Sequence, residues 1–325
     1  MIKAIKGFFY DFHCKIYNKF KKKDKKTSQK SIKRRDRVFI FFMLLIPITQ
    51  FLIFWVYVNF NSILMAFQKF DGDTVTYTLD NFIRFFDEIK LGDSNLRIAI
   101  KNTMSLFLVN IGIILPLSLL FAYFLYKKVF FHKGFRVIFF LPQIISSVIL
   151  ITLFKYIIAP TGPFNMVLSW ITDKPISELP NWLGDPRYSF NTILVYCIWT
   201  GFAVNLVLIT GAMSRIPKEI IEYGRLEGLS LKGELFKVII PMIYPTLTTL
   251  IITTVSGMFV NMGPILPFTQ GNFKTTTIGY YIFSQVKNNM YEYPAAIGLV
   301  FTFIGLPIVL LVKKLLNKIG SDVEY

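Results

Sequence analysis

The side chains able to do chemistry are few and scattered. Two cysteines, Cys14 and Cys197, and two histidines, His13 and His132, have no carboxylate cluster at ligand spacing beside them. One thiol in a basic tail and one inside an apolar stretch make no disulfide framework and read as free. No metal site is expected. Polar chemistry gathers instead in residues 214–245, SRIPKEIIEYGRLEGLSLKGELFKVIIPMIYP. Pro217 suits the first turn of a helix, where its missing N–H costs nothing. Glu219 and Glu222 follow near that positive end. Gly228 supplies a stop, because glycine accepts the left-handed conformation that ends helices, and Ser230 can cap a second short helix leading to Pro241. Taken alone this is a capped amphipathic loop. Its nearest approach to a phosphate loop, Gly228-x4-Gly233, is followed by Glu234 where a lysine must reach the phosphates. An acid there would repel them, so ATP hydrolysis is not expected of this chain.

The elements that must carry this segment are membrane spans. With 54% hydrophobic and only 17% charged residues and a mean hydropathy of +0.52, the chain is too apolar for an ordinary soluble domain. Six stretches are long enough to cross a hydrocarbon layer, which takes about 20 helical residues: roughly 38–60, 99–126, 135–158, 189–213, 237–262 and 292–315. Lipid cannot satisfy free backbone groups, so these spans are helical, with Pro47, Pro116, Pro142 and Pro307 marking kinks inside them. The expected fold class is all-α and polytopic.

The net charge of +17 is unevenly spread. Residues 1–37 hold 14 Lys and Arg against Asp11, Asp24 and Asp36, a net +11. Basic residues recur in 127–136, in 214–236 and after 312, whereas 61–98 holds six acids and 159–188 is poor in Lys and Arg. This alternation puts both termini on the cytoplasmic side. It reads as topology and lipid contact, and nucleic-acid binding is not expected. The first span follows a long basic lead with no small-x-small site, so it reads as an uncleaved anchor. Ahead of it Ile5, Phe8, Phe9, Phe12, Ile16 and Phe20 fall at helical spacing among lysines, which fits an interfacial amphipathic helix. The domains are then a basic tail 1–37, a six-helix domain 38–315 with the loop 214–236, and a tail 316–325.

The segment 214–245 resembles the EAA loop of binding-protein-dependent ABC importer permeases. In that loop a Glu is followed six residues later by Gly and nineteen later by Pro, as are Glu222, Gly228 and Pro241. Ile216-Pro217, Phe236, Ile239 and Pro245 also fit. Tyr223 and Gly224 replace two alanines, Glu227 stands for Asp, and Leu229 for Ala. Leu79-Asp80-Asn81-Phe82, Asn102-Thr103, Phe135-Arg136 with Phe140-Leu141-Pro142, and Gly162-Pro163-Phe164-Asn165 are similar to elements of the carbohydrate-uptake (maltose/oligosaccharide permease-like) branch, so the likeness covers about residues 38–315.

The resemblance implies a six-span type I ABC importer permease of the bacterial cytoplasmic (inner) membrane. Its partners would be a second permease subunit in a heterodimer (a homodimer stays open), two ABC ATPase subunits, an extracytoplasmic solute-binding protein, membrane lipids and a saccharide, most simply an oligosaccharide. ATP and Mg would sit on the ATPase and no cofactor on this chain. Glu219, Glu222, Tyr223, Arg225, Glu227, Gly228 and Pro241 would form the coupling element, with Glu222 meeting a basic residue of the ATPase. For the substrate pathway the span centres offer no Asp, Glu or His, which disfavours ion coupling. They offer Asn110, Gln143, Ser146, Ser147, Thr200, Asn205 and Asn261 with Tyr196, Trp199 and Phe202 nearby. Gln143, Trp199, Asn205 and Asn261 are the chosen pathway candidates, although amides also serve as glue between helices. Two alternatives stay open: a permease for another small solute, and a membrane-embedded enzyme acting on a lipid-linked sugar.

Overall fold

A computed structural model describes residues 29–71, 74–92 and 94–319. The amphipathic helix expected over 5–20 lies outside them, as do Cys14 and His13. The chain forms two compact units, Met1–Leu64 and Met65–Tyr325. The described part of the first lies in a single helix, α1, which runs from Gln29–Phe51 through a π-helical stretch Leu52–Tyr57 into Val58–Ala66, its last two residues being counted with the second unit. Pro47 lies inside it.

The second unit opens with a two-stranded antiparallel hairpin, β1 (Gln68–Asp71) and β2 (Thr74–Tyr77), pairing Gln68 with Tyr77. Helices follow in the order α2 (Asp80–Lys90), α3 (Asn95–Tyr126), α4 (His132–Ile144), α5 (Ser147–Ile157), α6 (Pro163–Thr172), α7 (Ser189–Met213), α8 (Lys218–Leu226), α9 (Leu231–Met242), α10 (Tyr244–Ser256), α11 (Ile265–Phe268), α12 (Ile278–Lys287) and α13 (Glu292–Ile319). Among the described residues, α1, α3, α7 and α13 are each long and apolar enough to cross a bilayer. Two further crossings exist only if bent pairs count as one: α4 with α5, at 103°, and α9 with α10, at 72°.

The first break is sharper than the kink expected from Pro142, and the second interrupts 237–262, which the sequence reads as one continuous span. Pro142 is buried in the last turn of α4, and the chain leaves the helix at Ile145 and Ser146, both extended. At the second break Pro245 has no N–H to give the carbonyl of Pro241 and its ring crowds that carbonyl, so the helix turns at Ile243 and restarts with Pro245 in its first turn.

In lipid, helices associate through close packing and small residues rather than water exclusion. Between α3 and α7, Ser118 is fully buried and its hydroxyl reaches the carbonyls of Ile114 (2.7 Å) and Phe202 (3.2 Å). A Cβ on Gly201 would stand 2.9 Å from Ile114. Rings of Phe121, Phe139 and Phe202 pack beside this seam.

Apolar clusters mark the two ends of α3. At its C-terminal end Ala122, Tyr123 and Leu125 pack with Met213, Ile216, Ile221, Leu235 and Ile239. At its N-terminal end Leu96 and Ala99 pack with Phe85, Ile278, Tyr281, Ile297 and Phe301.

That N-terminal end also explains the secondary sequence elements. Asn81 donates to the carbonyls of Ala66 (3.1 Å) and Gln68 (2.9 Å), fixing the hairpin to α2. Asn102 donates to Lys274 (2.8 Å) and Thr276 (2.9 Å), while the Thr103 hydroxyl accepts from the N–H of Ile278 (2.9 Å). Asn165, fully buried, bonds Pro160 and Pro180 and accepts from the Trp182 indole at 2.7 Å. Tyr281 donates to Glu88 at 3.2 Å. Burial, reinforced by that carboxylate, pushes its hydroxyl up to about 12 and so keeps it a donor.

Candidate functional site

The loop between α7 and α9 is folded as its residues require. Ile216 and Ile221 turn inward onto the end of α3, which leaves Glu219, Glu222, Tyr223 and Leu226 exposed on α8. Glu219 lies in the first turn, where the helix dipole favours an acid. Pro217 stands one residue ahead of Lys218, where the helix begins. Of Arg225 only the backbone is described. Glu227 is exposed and its N–H bonds the carbonyl of Tyr223 at 3.0 Å.

Gly228 has φ +78°, the left-handed conformation its position predicts. Beyond it the N–H of Leu229 bonds the carbonyl of Gly224 at 3.0 Å, which completes a Schellman stop. The Ser230 hydroxyl then accepts from the N–H of Gly233 at 3.2 Å and opens α9.

Two departures from the family pattern compensate each other here. A Cβ at position 224 would meet Leu229 Cδ1 at 2.8 Å. The bulk at 229 occupies the room an alanine at 224 would take. Tyr223 is 69% exposed, so its extra bulk alters the outward surface and not the packing of the loop.

The segment is tied back to the bundle by polar contacts. Tyr123 donates its hydroxyl to the Leu231 carbonyl at 3.1 Å. The Lys127 ammonium meets the carboxylate of Glu234, with both side chains largely withdrawn from solvent. Pro241 is half-buried at the bend described above.

A separate cleft of about 380 Å³ lies between α3 and α10. Leu106, Phe107 and Asn110 line one side, and Thr253, Thr254, Gly257, Met258, Val260 and Asn261 the other. This volume falls in the range of small-ligand sites. Asn110 donates to Leu106 at 3.0 Å and Asn261 accepts from the N–H of Gly263 at 2.8 Å. Among the described residues no partner takes the other amide atom of either side chain, the Asn110 Oδ1 or the Asn261 Nδ2. The Thr253 and Thr254 hydroxyls donate one turn back, to the carbonyls of Thr249 and Leu250, which leaves each oxygen able to accept. The cleft therefore offers neutral donors and acceptors suited to hydroxyl groups. Asn110 begins a π-helical turn, Asn110–Ile114, a distortion frequent where helices carry function.

The sequence candidates divide accordingly. Asn261 lines the cleft with Asn110. Gln143 sits at the α4 break instead, donating to Thr200 at 3.4 Å. Trp199, beside Thr200 in the chain, is 39% exposed and packs against Phe154 and Tyr196. Asn205 is half-buried on α7 and does not line the cleft. Thr253 and Thr254 were missed. The signal was present, since Thr253, Gly257 and Asn261 recur every four residues, as on one helix face.

Residues 114–322 match the model of the family described as "Binding-protein-dependent transport system inner membrane component". Among curated relatives, the arabinooligosaccharides transport system permease protein AraP of Halalkalibacterium halodurans is 25% identical over 86% of this chain and 91% of its own length. The lactose transport system permease protein LacF of Rhizobium radiobacter is 25% identical over 84% and 92%. The multiple sugar-binding transport system permease protein MsmF of Streptococcus mutans is 26% identical over 83% and 92%. The fold is similar to a chain in the crystal structure of a bacterial ABC transporter involved in the import of the acidic polysaccharide alginate. The TM-score there is 0.76 at 22% identity, covering 90% of this chain and 99% of that one. With the match extending from the middle of α3 to the end of α13 and spanning the exposed loop, the chain belongs to the family of binding-protein-dependent transport system inner membrane components.

Proposed function

We propose that this chain is a permease subunit of an ATP-driven importer and forms part of the pathway for a saccharide, most simply an oligosaccharide. Six crossings with both termini cytoplasmic follow if each bent pair is one span, in keeping with the alternation of basic loops. The segment α8–α9 then lies at the cytoplasmic face and docks on an ATPase subunit. Glu222 makes the charge-assisted contact, with Glu219, Tyr223, Arg225 and Glu227 around it, Gly228 as the elbow and Pro241 at the bend. ATP and Mg belong to two such ATPase subunits, and this subunit is non-catalytic. A second permease completes the pathway, and an extracytoplasmic solute-binding protein delivers the sugar.

The observation that carries the reading is the exposed, stopped helix α8. It presents acids and a tyrosine outward while its apolar side and the following turn are fixed to α3. The saccharide rests on the neutral cleft around Asn110 and Asn261 and on the sugar permeases among the relatives.

The test is a pull-down of tagged protein from mildly solubilised host membranes, wild type beside Glu222→Ala and Gly228→Pro. Proline cannot adopt the φ of +78° at position 228. Wild type should bring down an ATPase and a second permease, and the variants should keep the permease while losing the ATPase. Absence of any nucleotide-binding subunit from the wild-type eluate would overturn the reading and favour an enzyme acting on a lipid-linked sugar.

A further inference from the structure

A lysine at the end of a membrane helix ordinarily extends its ammonium to water or headgroups. Lys128, in the turn that follows α3, is exposed. Lys127 does the opposite. Its side chain is only 13% exposed and is directed at Glu234, which is 3% exposed at the start of the π-helical stretch Glu234–Ile239. The ammonium also lies 5.6 Å from the Tyr123 ring, and the Tyr123 hydroxyl holds the Leu231 carbonyl. Tyr123 in the last turn of α3 and Lys127, the residue just past its end, are one helical turn apart, so two neighbouring side chains at the end of α3 grip the first turn of α9. A buried ion pair is weak as a source of stability, because desolvating two charges offsets most of their attraction. What it supplies is direction and register, since neither charge tolerates losing the other.

The grip sits near the exposed loop, at the far ends of the helices that carry the two walls of the cleft. One wall, with Leu106, Phe107 and Asn110, belongs to α3, whose last turn holds Tyr123 and whose end Lys127 follows. At 1.5 Å per residue Asn110 lies roughly 25 Å along α3 from Lys127. The other wall, with Thr253 and Thr254, belongs to α10, joined to α9 across the bend at Ile243. Glu234 lies six residues after the Gly228 elbow.

We infer that the Lys127–Glu234 pair, with the Tyr123–Leu231 hydrogen bond, is the strut through which displacement of the exposed segment α8–α9 changes the separation of the cleft walls. The inference rests on the proposed coupling role of α8 and adds the positioning residues that transmit it. A flexible or apolar contact would let α9 slide along α3. A bidirectional charge pair with a hydrogen bond beside it moves the two helices as one body at this end and leaves the bend at Ile243 to absorb the change.

The test uses the complex co-purified with its ATPase and second permease, in nanodiscs. Spin labels are placed at Leu108→Cys and Ser256→Cys, beside the cleft, after replacement of Cys14 and Cys197. Distances are measured by double electron–electron resonance with and without ATP and vanadate. The variants are Lys127→Met, Glu234→Gln, the exchange Lys127→Glu with Glu234→Lys, and the apolar double Lys127→Met with Glu234→Leu, which leaves no orphaned charge and remains informative if a single variant fails to fold. The expected result is that assembled singles and the apolar double retain the ATPase, while the share of molecules changing distance on ATP falls about tenfold. The charge exchange should restore it. An apolar double that shifts as the wild type does would overturn the strut. Failure of the wild-type complex to retain an ATPase would instead overturn the coupling reading, and the strut with it. A merely stabilising pair would alter yield and thermal unfolding without removing the ATP-dependent shift.

Discussion

Asn102→Ala isolates one polar tie and permits a worked magnitude. The side chain is 6% exposed and donates to the carbonyls of Lys274 and Thr276. These carbonyls belong to a segment in which Gln270, Gly271, Phe273 and Lys274 all have positive φ, three of them without glycine's freedom. Such a backbone persists only where its surroundings hold it. Truncation removes two hydrogen bonds and leaves two carbonyls without that donor, a loss of about 2–4 kcal/mol at roughly 1–2 kcal/mol each. Since about 1.4 kcal/mol is a factor of ten in equilibrium, local opening of residues 263–278 should rise about 30- to 700-fold. Hydrogen exchange read by mass spectrometry in nanodiscs measures this directly. Amides of 270–278 should exchange faster by that factor, while those of α7 should change little. Thr103→Val should give a smaller effect confined to the Ile278 amide, which loses one acceptor. Unchanged exchange across 270–278 in Asn102→Ala would show that the strained backbone is held by its own packing, and the hydrogen-bond reasoning would fail.

Other positions give narrower tests. Gly228→Ala meets no atom within 4 Å but must hold φ +78°. It should weaken ATPase co-purification by about 1–2 kcal/mol worth of affinity, with Gly228→Asn closer to wild type. Gly224→Ala brings a Cβ to 2.8 Å from the end of the Leu229 side chain, which must swing aside, so Gly224→Ala should stabilise α8 more when Leu229→Ala is added than when it is made alone, in a thermal-unfolding comparison. A Cβ on Gly279 would stand 2.5 Å from the Val260 carbonyl oxygen, backbone that cannot swing aside. Gly279→Ala should therefore cost about 1–3 kcal/mol, whereas Gly298→Ala, with nothing within 4 Å, should be neutral or better. Asn261→Ala should reduce sugar uptake by reconstituted complex about tenfold while assembly with the ATPase persists, as loss of one ligand hydrogen bond requires. Unaltered uptake would remove Asn261 from the pathway.

The loop was legible in the sequence because its signals are local. A glycine stop and a serine cap act within a few residues, and Gly228 and Ser230 behave as short-range sterics dictate, whereas the bend before Pro245 interrupts a stretch, 237–262, that hydropathy alone reads as one span. The apolar stretches were legible for the same reason, since hydropathy needs no partner. What escaped depends on distant pairing. The 103° break after Pro142 is not encoded by the proline alone, which in other helices of this chain (Pro47, Pro307) leaves the helix continuous. The partners of Asn102 lie more than 170 residues away, and those of Lys127 more than 100. Glu234, read in sequence only as the wrong residue for a phosphate loop, acquires its role from a lysine on another helix. The pathway candidates scattered because an amide in a span serves helix packing and ligand binding with the same atoms. Only the cleft geometry separates Asn261 from Asn205.

One measurement tests the coupling claim most directly. Tyr223, 69% exposed on α8, can be replaced by a photo-crosslinking phenylalanine analogue in the living host with little change of shape. Illumination should yield an adduct whose mass-spectrometric peptides join position 223 to a nucleotide-binding subunit, and the yield should fall when Gly228→Pro is added. Adducts at that position that never contain a nucleotide-binding protein, from a complex still holding its companion permease, would contradict the assignment of α8 as the coupling element.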